Sequence, residues 1–193
     1  MRPLQTSLSF SLPAWAAAHC AGVDAIAQSA GRMRFVLAAA RLNMEHRTGG
    51  PFAAAVFERE SGVLVSLGVN LVTTCGNSTL HAEMVALALA QRRLGTYDLG
   101  APGLPAHDLV TSTEPCAMCL GAIPWSGIRR VTCGAGDADA RAIGFDEGAK
   151  PADWRHLLEE RGIEVVSDLL AAEARAVLDA YAGTGGRIYN PTR

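Results

Sequence analysis

The 193-residue chain has no run of 18 consecutive apolar residues, so a membrane-spanning helix is not expected. Its first twenty residues, MRPLQTSLSFSLPAWAAAHC, hold no sustained apolar stretch behind a basic start, so they do not read as a secretory leader. An excess of positive charge is also missing. Seventeen Lys and Arg stand against nineteen Asp and Glu, a formal net charge of -2, whereas nucleic-acid binders rely on a basic face. Paired cysteines are lacking too: Cys20, Cys75, Cys116, Cys119 and Cys133 are odd in number, which suits a reduced compartment better than a disulfide framework. A cytoplasmic protein acting on a small molecule, without membrane or nucleic-acid partners, is the expectation. There is no internal repeat or low-complexity segment to divide the chain.

With 49% hydrophobic and 19% charged residues, the chain can build a substantial core. Residues 1–30 read as an N-terminal arm that packs on the body through Trp15, and residues 31–193 as one domain. Met33, Val36, Leu37, Ala40 and Met44 recur at helical spacing from Gly31 to His46. Two β-rich runs, Phe52–Phe57 and Val63–Val69, flank the turn ERESG and predict an antiparallel hairpin. A helix is expected over 78–93, capped by Asn77, Ser78 or Thr79 and stopped at Gly95. Asp108–Thr113 reads as a buried strand running into EPCAMCLGAI, with Pro115 as the first residue of a further helix. RRVTCGAG and GIEVVS supply two more strands, and LLAAEARAVLDAYAG a C-terminal helix. Strands alternating with helices imply an α/β fold, a three-layer α/β/α sandwich around a five-stranded mixed, mostly parallel sheet.

His81 begins one of these helices, and Cys116 and Cys119 lie three apart at the start of another. Parallel strands deliver successive helix N-termini to one sheet edge, so the three side chains can converge. One imidazole and two thiolates suit Zn2+ by softness, and positive helix ends favour the thiolate form. Three protein ligands leave one tetrahedral position open, the mark of a catalytic rather than a structural zinc. Two thiolates also cancel the formal charge of the ion, so a nearby base becomes useful. Glu83, two residues from His81 and off the ligand's face, is the expected base that takes a proton from water and returns it to substrate.

His-x-Glu followed by Pro-Cys-x-x-Cys is the signature of zinc-dependent base deaminases. At HAE, 81–83, and PCAMC, 115–119, the chain resembles the cytidine deaminase superfamily. GGPFAAAVF, GVNLV, EPCAMCLGAIPWSG and AIGFDEG together look like its guanine deaminase branch, across roughly residues 31–150. The resemblance implies one Zn2+ per subunit, a homodimer, and hydrolytic deamination of a free nucleobase, guanine to xanthine and ammonia. Ammeline-like aminotriazines are related substrates to expect, and a guanosine or cytidine deaminase is the alternative. A deaminase acting on adenosine in transfer RNA is disfavoured by the missing basic face.

Asp146 and Glu147 follow Phe145 in a glycine-flanked segment that reads as a loop at the mouth of the site. Guanine presents N–H groups, so an acidic acceptor suits it better than it suits the acceptor edge of cytosine. The resemblance gives the same pair the task of holding the base or moving protons, Glu147 before Asp146. Asn70, ending a strand in GVN, is expected on the purine edge, while Phe52 and Trp125 are expected to wall the ring. The backbone amides of Ala82 and Cys116 are expected to orient it. The tail GGRIYN resembles a segment that closes the pocket, which makes Tyr189 a further contact. Cys20, Cys75 and Cys133 read as small hydrophobes, and His19, His46, His107 and His156 as structural or solvated groups.

Overall fold

Apolar residues on both faces of the central strands force helices onto both sides of one sheet. In the computed structural model, which describes residues 4–191, α1 (Trp15–Cys20) and α2 (Ser29–Glu45) precede the hairpin β1 (Ala53–Glu58) and β2 (Leu64–Val69). The single turn α3 (Val72–Cys75), α4 (Ala82–Leu94), β3 (His107–Thr113), α5 (Ala117–Ser126) and β4 (Arg130–Ala135) follow. After them come α6 (Asp137–Ala142), α7 (Trp154–Glu159), β5 (Glu164–Val166) and α8 (Ala171–Gly183). Ala53, Ala55 and Phe57 join α2 and α8 in one apolar cluster, whereas Ala54 and Val56 join α4, α5 and α7 in another. This is the period-two alternation of a strand buried on both faces.

The sheet order is β2-β1-β3-β4-β5. β1 pairs antiparallel with both β2 and β3, while β3–β4 and β4–β5 are parallel. The sheet is therefore mixed, with β1 alone running against the other four strands. The C-terminal ends of β2, β3 and β4 then lie at one edge, together with the start of β1, and that edge carries the site.

α4 approaches the sheet closely because the facing residues are small. Ala82, Ala86 and Ala90 pack with Ala54 in the α4-side cluster. A Cβ on Gly68 of β2 would meet Ala86 Cα at 2.9 Å and the Ala82 carbonyl closer still. Ser66 Oγ donates to Ala86 O at 2.7 Å, and Arg93 Nη1 to Leu64 O and Val65 O at 3.1 and 3.0 Å. Gly95 ends the helix in the left-handed region, φ 68, a conformation glycine adopts without strain.

Three local expectations change. Asn77, Ser78 and Thr79 do not cap α4; Asn77 Oδ1 instead accepts from Thr79 N and Oγ1 at 2.9 and 2.8 Å, closing a turn ahead of the helix. Pro115 lies before α5 rather than in it, because Cys116 takes the N-cap position. Cys75 is exposed on α3, whereas Cys20 and Cys133 pack against the two cores. Ahead of α2, Trp15 donates Nε1–H to Thr48 Oγ1 at 3.0 Å and stacks on His46. Among the described residues no helix is long and apolar enough to cross a membrane.

Candidate active site

Two helix N-termini meet at the C-terminal edge of the sheet. His81 is the N-cap of α4 (φ -68, ψ 158) and Cys116 the N-cap of α5 (φ -65, ψ 170); neither makes a side-chain capping bond. Both therefore sit one position earlier than the first turn, with extended backbones. An N-cap Ser or Asp would stabilise each helix by about 1 kcal/mol, so these side chains forgo capping to face each other. Cys116 Sγ is 3.4 Å from His81 Nδ1. Ligand atoms of His81, Cys116 and Cys119 all lie within 4.8 Å of one another, the one such ligand group found among the described residues. Tetrahedral zinc with bonds of about 2.0–2.3 Å needs donor atoms roughly 3.5–3.8 Å apart. The Cys116–His81 distance is close to that spacing, and the soft N/S donor set suits the metal.

The site's electrostatics follow from burial and close contact. A hydrogen bond from Cys119 holds the Cys116 thiol down at about 4, helped by His81. The same bond, read from the other side, pushes Cys119 well above the usual thiol range, as does burial. Burial pushes His81 down, but the Cys116 contact and the surrounding negative charge outweigh it, and the imidazole is raised overall. Glu83, 6% exposed, is raised first by burial and then by Cys116. Its Oε1 is 3.4 Å from Thr111 Oγ1, and its Oε2 is 3.5 Å from Cys119 Sγ. The carboxyl thus lies beside the Cys119 sulfur of the neighbouring helix.

A cavity of about 320 Å³ opens onto this cluster. Asn70, Glu83, Phe52, Phe145, Asp146, Glu147 and Tyr189 are among the residues that line it. Asn70 is fixed by its backbone, through Asn70 N to Phe52 O at 3.0 Å and Asn43 Nδ2 to Asn70 O at 2.9 Å. Its Oδ1 accepts from Val72 N at 3.2 Å, which leaves its NH2 to the cavity. Glu147 is 7% exposed and is pushed up to about 8, mainly by burial and then by Cys116 and Glu83. Asp146 is engaged elsewhere: its Oδ1 accepts from Gly148 N at 3.0 Å and faces Arg141.

The loop carrying Glu147 is anchored to the segment carrying Cys116. Ala117 N donates to Glu147 O at 2.9 Å. Lys150 Nζ donates to Pro115 O at 3.0 Å and Glu114 Oε1 at 2.8 Å, and pairs with Asp137 Oδ1 at 2.7 Å. From the other side Asn190 clasps the loop, its Oδ1 accepting from Asp146 N at 2.9 Å and its Nδ2 donating to Gly144 O at 2.8 Å. Phe145 packs edge-on against Phe52 and Tyr189, with centroids 4.9 and 5.0 Å away.

This geometry agrees with what the chain is similar to. A family model for the cytidine and deoxycytidylate deaminase zinc-binding region matches residues 27–135, more than half of the chain. The chain belongs to this deaminase family. It is thereby a zinc-dependent aminohydrolase. The guanine deaminase of Bacillus subtilis is 40% identical over 113 residues, which are 55% of this chain and 68% of that one. The structure of guanine deaminase from Nitrosomonas europaea superposes with a TM-score of 0.89 at 46% identity, covering 94% of this chain and all of that one (100%). A further structure, solved in complex with 2,6-diaminopurine, gives a TM-score of 0.90 at 48% identity over 95% of this chain and 97% of that one.

In this deaminase His81, Ala82, Glu83, Cys116, Asn70, Phe52, Phe145, Asp146, Glu147 and Tyr189 all border the one cavity, and Cys119 completes the ligand cluster behind it. Trp125 does not. It is 84% exposed on α5 and lines a separate apolar groove with Pro124, Trp154 and Leu157. Cys116 faces the site from the N-terminus of α5, whereas Trp125 lies more than two turns on, at the far end of the helix. Thr113, Ser78, Glu114 and Asn190 also line the cavity. Local sequence carried no signal for the first three, and Asn190 adjoins Tyr189 in the tail segment already singled out.

Proposed function

We propose that the protein removes the exocyclic amine of a free nucleobase by hydrolysis, with guanine as substrate and xanthine and ammonia as products. Glu147 carries this reading: a buried carboxyl in the cavity of the ligand cluster, with no side-chain hydrogen-bond or ion-pair partner of its own among the described residues. In its ionised form Glu147 would present two unengaged acceptor oxygens that match the N–H-rich edge of guanine. The ligand of one similar structure, 2,6-diaminopurine, supports a purine occupant, and aminotriazines with a guanine-like edge fit the same reasoning.

His81, Cys116 and Cys119 would hold one zinc ion per subunit. Bound there, the metal would supply Lewis acidity that makes water a better nucleophile near neutral pH. Glu83 takes a proton from the water as the water oxygen bonds to C2 and delivers it to N3. The proton left on that oxygen then passes to the C2 amine, the C–N bond breaks, and ammonia leaves a new C2 carbonyl. Glu147 holds the ring or passes a proton to that amine. The Asn70 NH2 meets the purine edge, Phe52 and Phe145 wall the ring, and Tyr189 closes the outer side. The N–H groups of Ala82 and Cys116, at the open helix ends where helical geometry supplies no acceptor, orient the base.

A homodimer completes the reading. α5 contains no charged residue, and a helix apolar on every side is ordinarily buried, yet Met118 and Trp125 are exposed on it beside the apolar groove. The cytoplasm is the compartment assigned, because all five cysteines are free and two must act as thiolates.

The test is ammonia release by zinc-loaded protein from guanine, ammeline, guanosine, cytidine, cytosine and adenine, with Glu83→Gln as the blank. Release from guanine, with or without ammeline, is expected, and E83Q is expected to keep its zinc and lose about 100-fold or more of the rate. Release mainly from a nucleoside would overturn the assignment of the pocket, and near-normal turnover by E83Q would overturn the role of Glu83.

A further inference from the structure

Among the described residues, the buried side-chain atoms without a partner fall into two groups. His107 Nε2, Asp108 Oδ1 and Arg130 Nε gather where β3 and β4 begin, and the other two, Thr113 Oγ1 and Tyr189 Oη, belong to residues lining the active-site cavity. Thr113 is the last residue of β3 and is 4% exposed. Side chains alternate along a strand, so Thr113 shares its face with Leu109, which packs in the α4-side core, and with Thr111, whose hydroxyl reaches Glu83. The face is that of the reacting centre. The Thr113 carbonyl is already engaged, accepting from Thr111 Oγ1 at 3.0 Å, and the strand is held in register by Thr113 pairing with Ala135. Only the hydroxyl is left over.

We propose that the Thr113 hydroxyl positions the substrate by hydrogen bonding to the purine ring edge, an inference that rests on the reading of the cavity as a purine site. A buried hydroxyl with no partner destabilises the folded protein, and valine has nearly the same shape without that cost. A polar occupant of the cavity that reached the hydroxyl would satisfy it. Because it both donates and accepts, it can meet a ring N–H or a ring nitrogen, whereas a methyl group in its place can meet neither.

The decisive experiment titrates 8-azaguanine into zinc-loaded Glu83→Gln protein, which holds ligand without turnover, in the wild-type, Thr113→Val and Thr113→Ser backgrounds. Melting temperatures without ligand are measured alongside. Loss of one hydrogen bond predicts binding weakened about 3- to 10-fold in T113V, an unchanged or higher ligand-free Tm, and recovery in T113S. Unchanged binding in T113V, with 8-azaguanine held tightly by the wild-type background, would overturn the role of Thr113 while leaving the purine reading standing. A lower ligand-free Tm with no recovery in T113S would assign the hydroxyl to packing and overturn it too. A wild-type background that fails to bind 8-azaguanine would overturn both readings.

Discussion

Gly68→Ala tests whether the close approach of α4 to β2 sets the geometry of the metal site. A Cβ at this position would lie 2.9 Å from Ala86 Cα and closer still to Ala82 O and Ala86 N, where ordinary contact begins at 3.4 Å. The obstructing atoms are backbone, so no side chain can swing aside. Helix and strand must part by something on the order of 1 Å, because cores are packed to crystal density. Parting stretches the Ser66–Ala86 and Arg93–Leu64 hydrogen bonds that tie the two elements, and overpacking of this kind costs about 3 kcal/mol. For a chain of this size that lowers Tm by roughly 6–12 °C. The consequence for function is at the N-terminus of α4, where His81 must keep its distance from Cys116. Metal sites tolerate ligand displacements of about 0.2 Å, so zinc affinity should fall at least about 10-fold. Calorimetry of the metal-free protein and competition with a chromophoric chelator measure the two effects. Gly183→Ala, which meets nothing within 4 Å, is the control. A G68A protein with wild-type Tm and wild-type zinc affinity would refute the reasoning.

Glu147 binds its proton up to about pH 8 in the metal-free fold, against 4.5 for the ordinary group. Between those values the folded state holds a proton that the unfolded chain has released, so this residue's contribution to stability falls as pH rises. The Tm of metal-free E147Q, measured from pH 5 to 8, should therefore gain steadily on wild type; a constant difference would contradict the shift. Lys150→Met leaves Glu114 and Asp137 facing each other without their shared cation. Breaking this buried pairing should cost about 3 kcal/mol in stability and raise KM for guanine as the Glu147 loop loosens, and a wild-type Tm would argue against the clamp. Trp125→Asp alters an exposed side chain and should change stability by less than about 0.5 kcal/mol, while sedimentation shifts from dimer to monomer. An unchanged mass would remove α5 from the interface.

The cluster of His81, Cys116 and Cys119, with Glu83 beside it, was legible because its spacing is local. His81 and Glu83 are two residues apart, and Cys116 and Cys119 one turn apart, so each pair is positioned by one helix end whatever the rest of the chain does. The hairpin of β1 and β2 was legible for the same reason, as a short turn between two β-rich runs. Pairing of β1 with β3 joins residues from Glu58 and His107 out to Ala54 and Thr111, about fifty positions apart, and no local pattern encodes it. That pairing nevertheless sends β1 against its four neighbours and brings the ends of β2, β3 and β4 to one edge. Trp125 was misplaced because spacing says which side chains share a helix face, while the neighbouring elements decide whether that face meets the site. The free hydroxyl of Thr113, the Lys150 clamp and the clasp of Asn190 on the Glu147 loop are likewise contacts made only when distant segments close on one another. The sequence by itself determined which atoms can bind zinc and move a proton, since those properties belong to residue types at short separation. Tertiary structure alone decided which acids, amides and hydroxyls share the cavity with them, since burial and unmet hydrogen bonds exist only once the chain has packed.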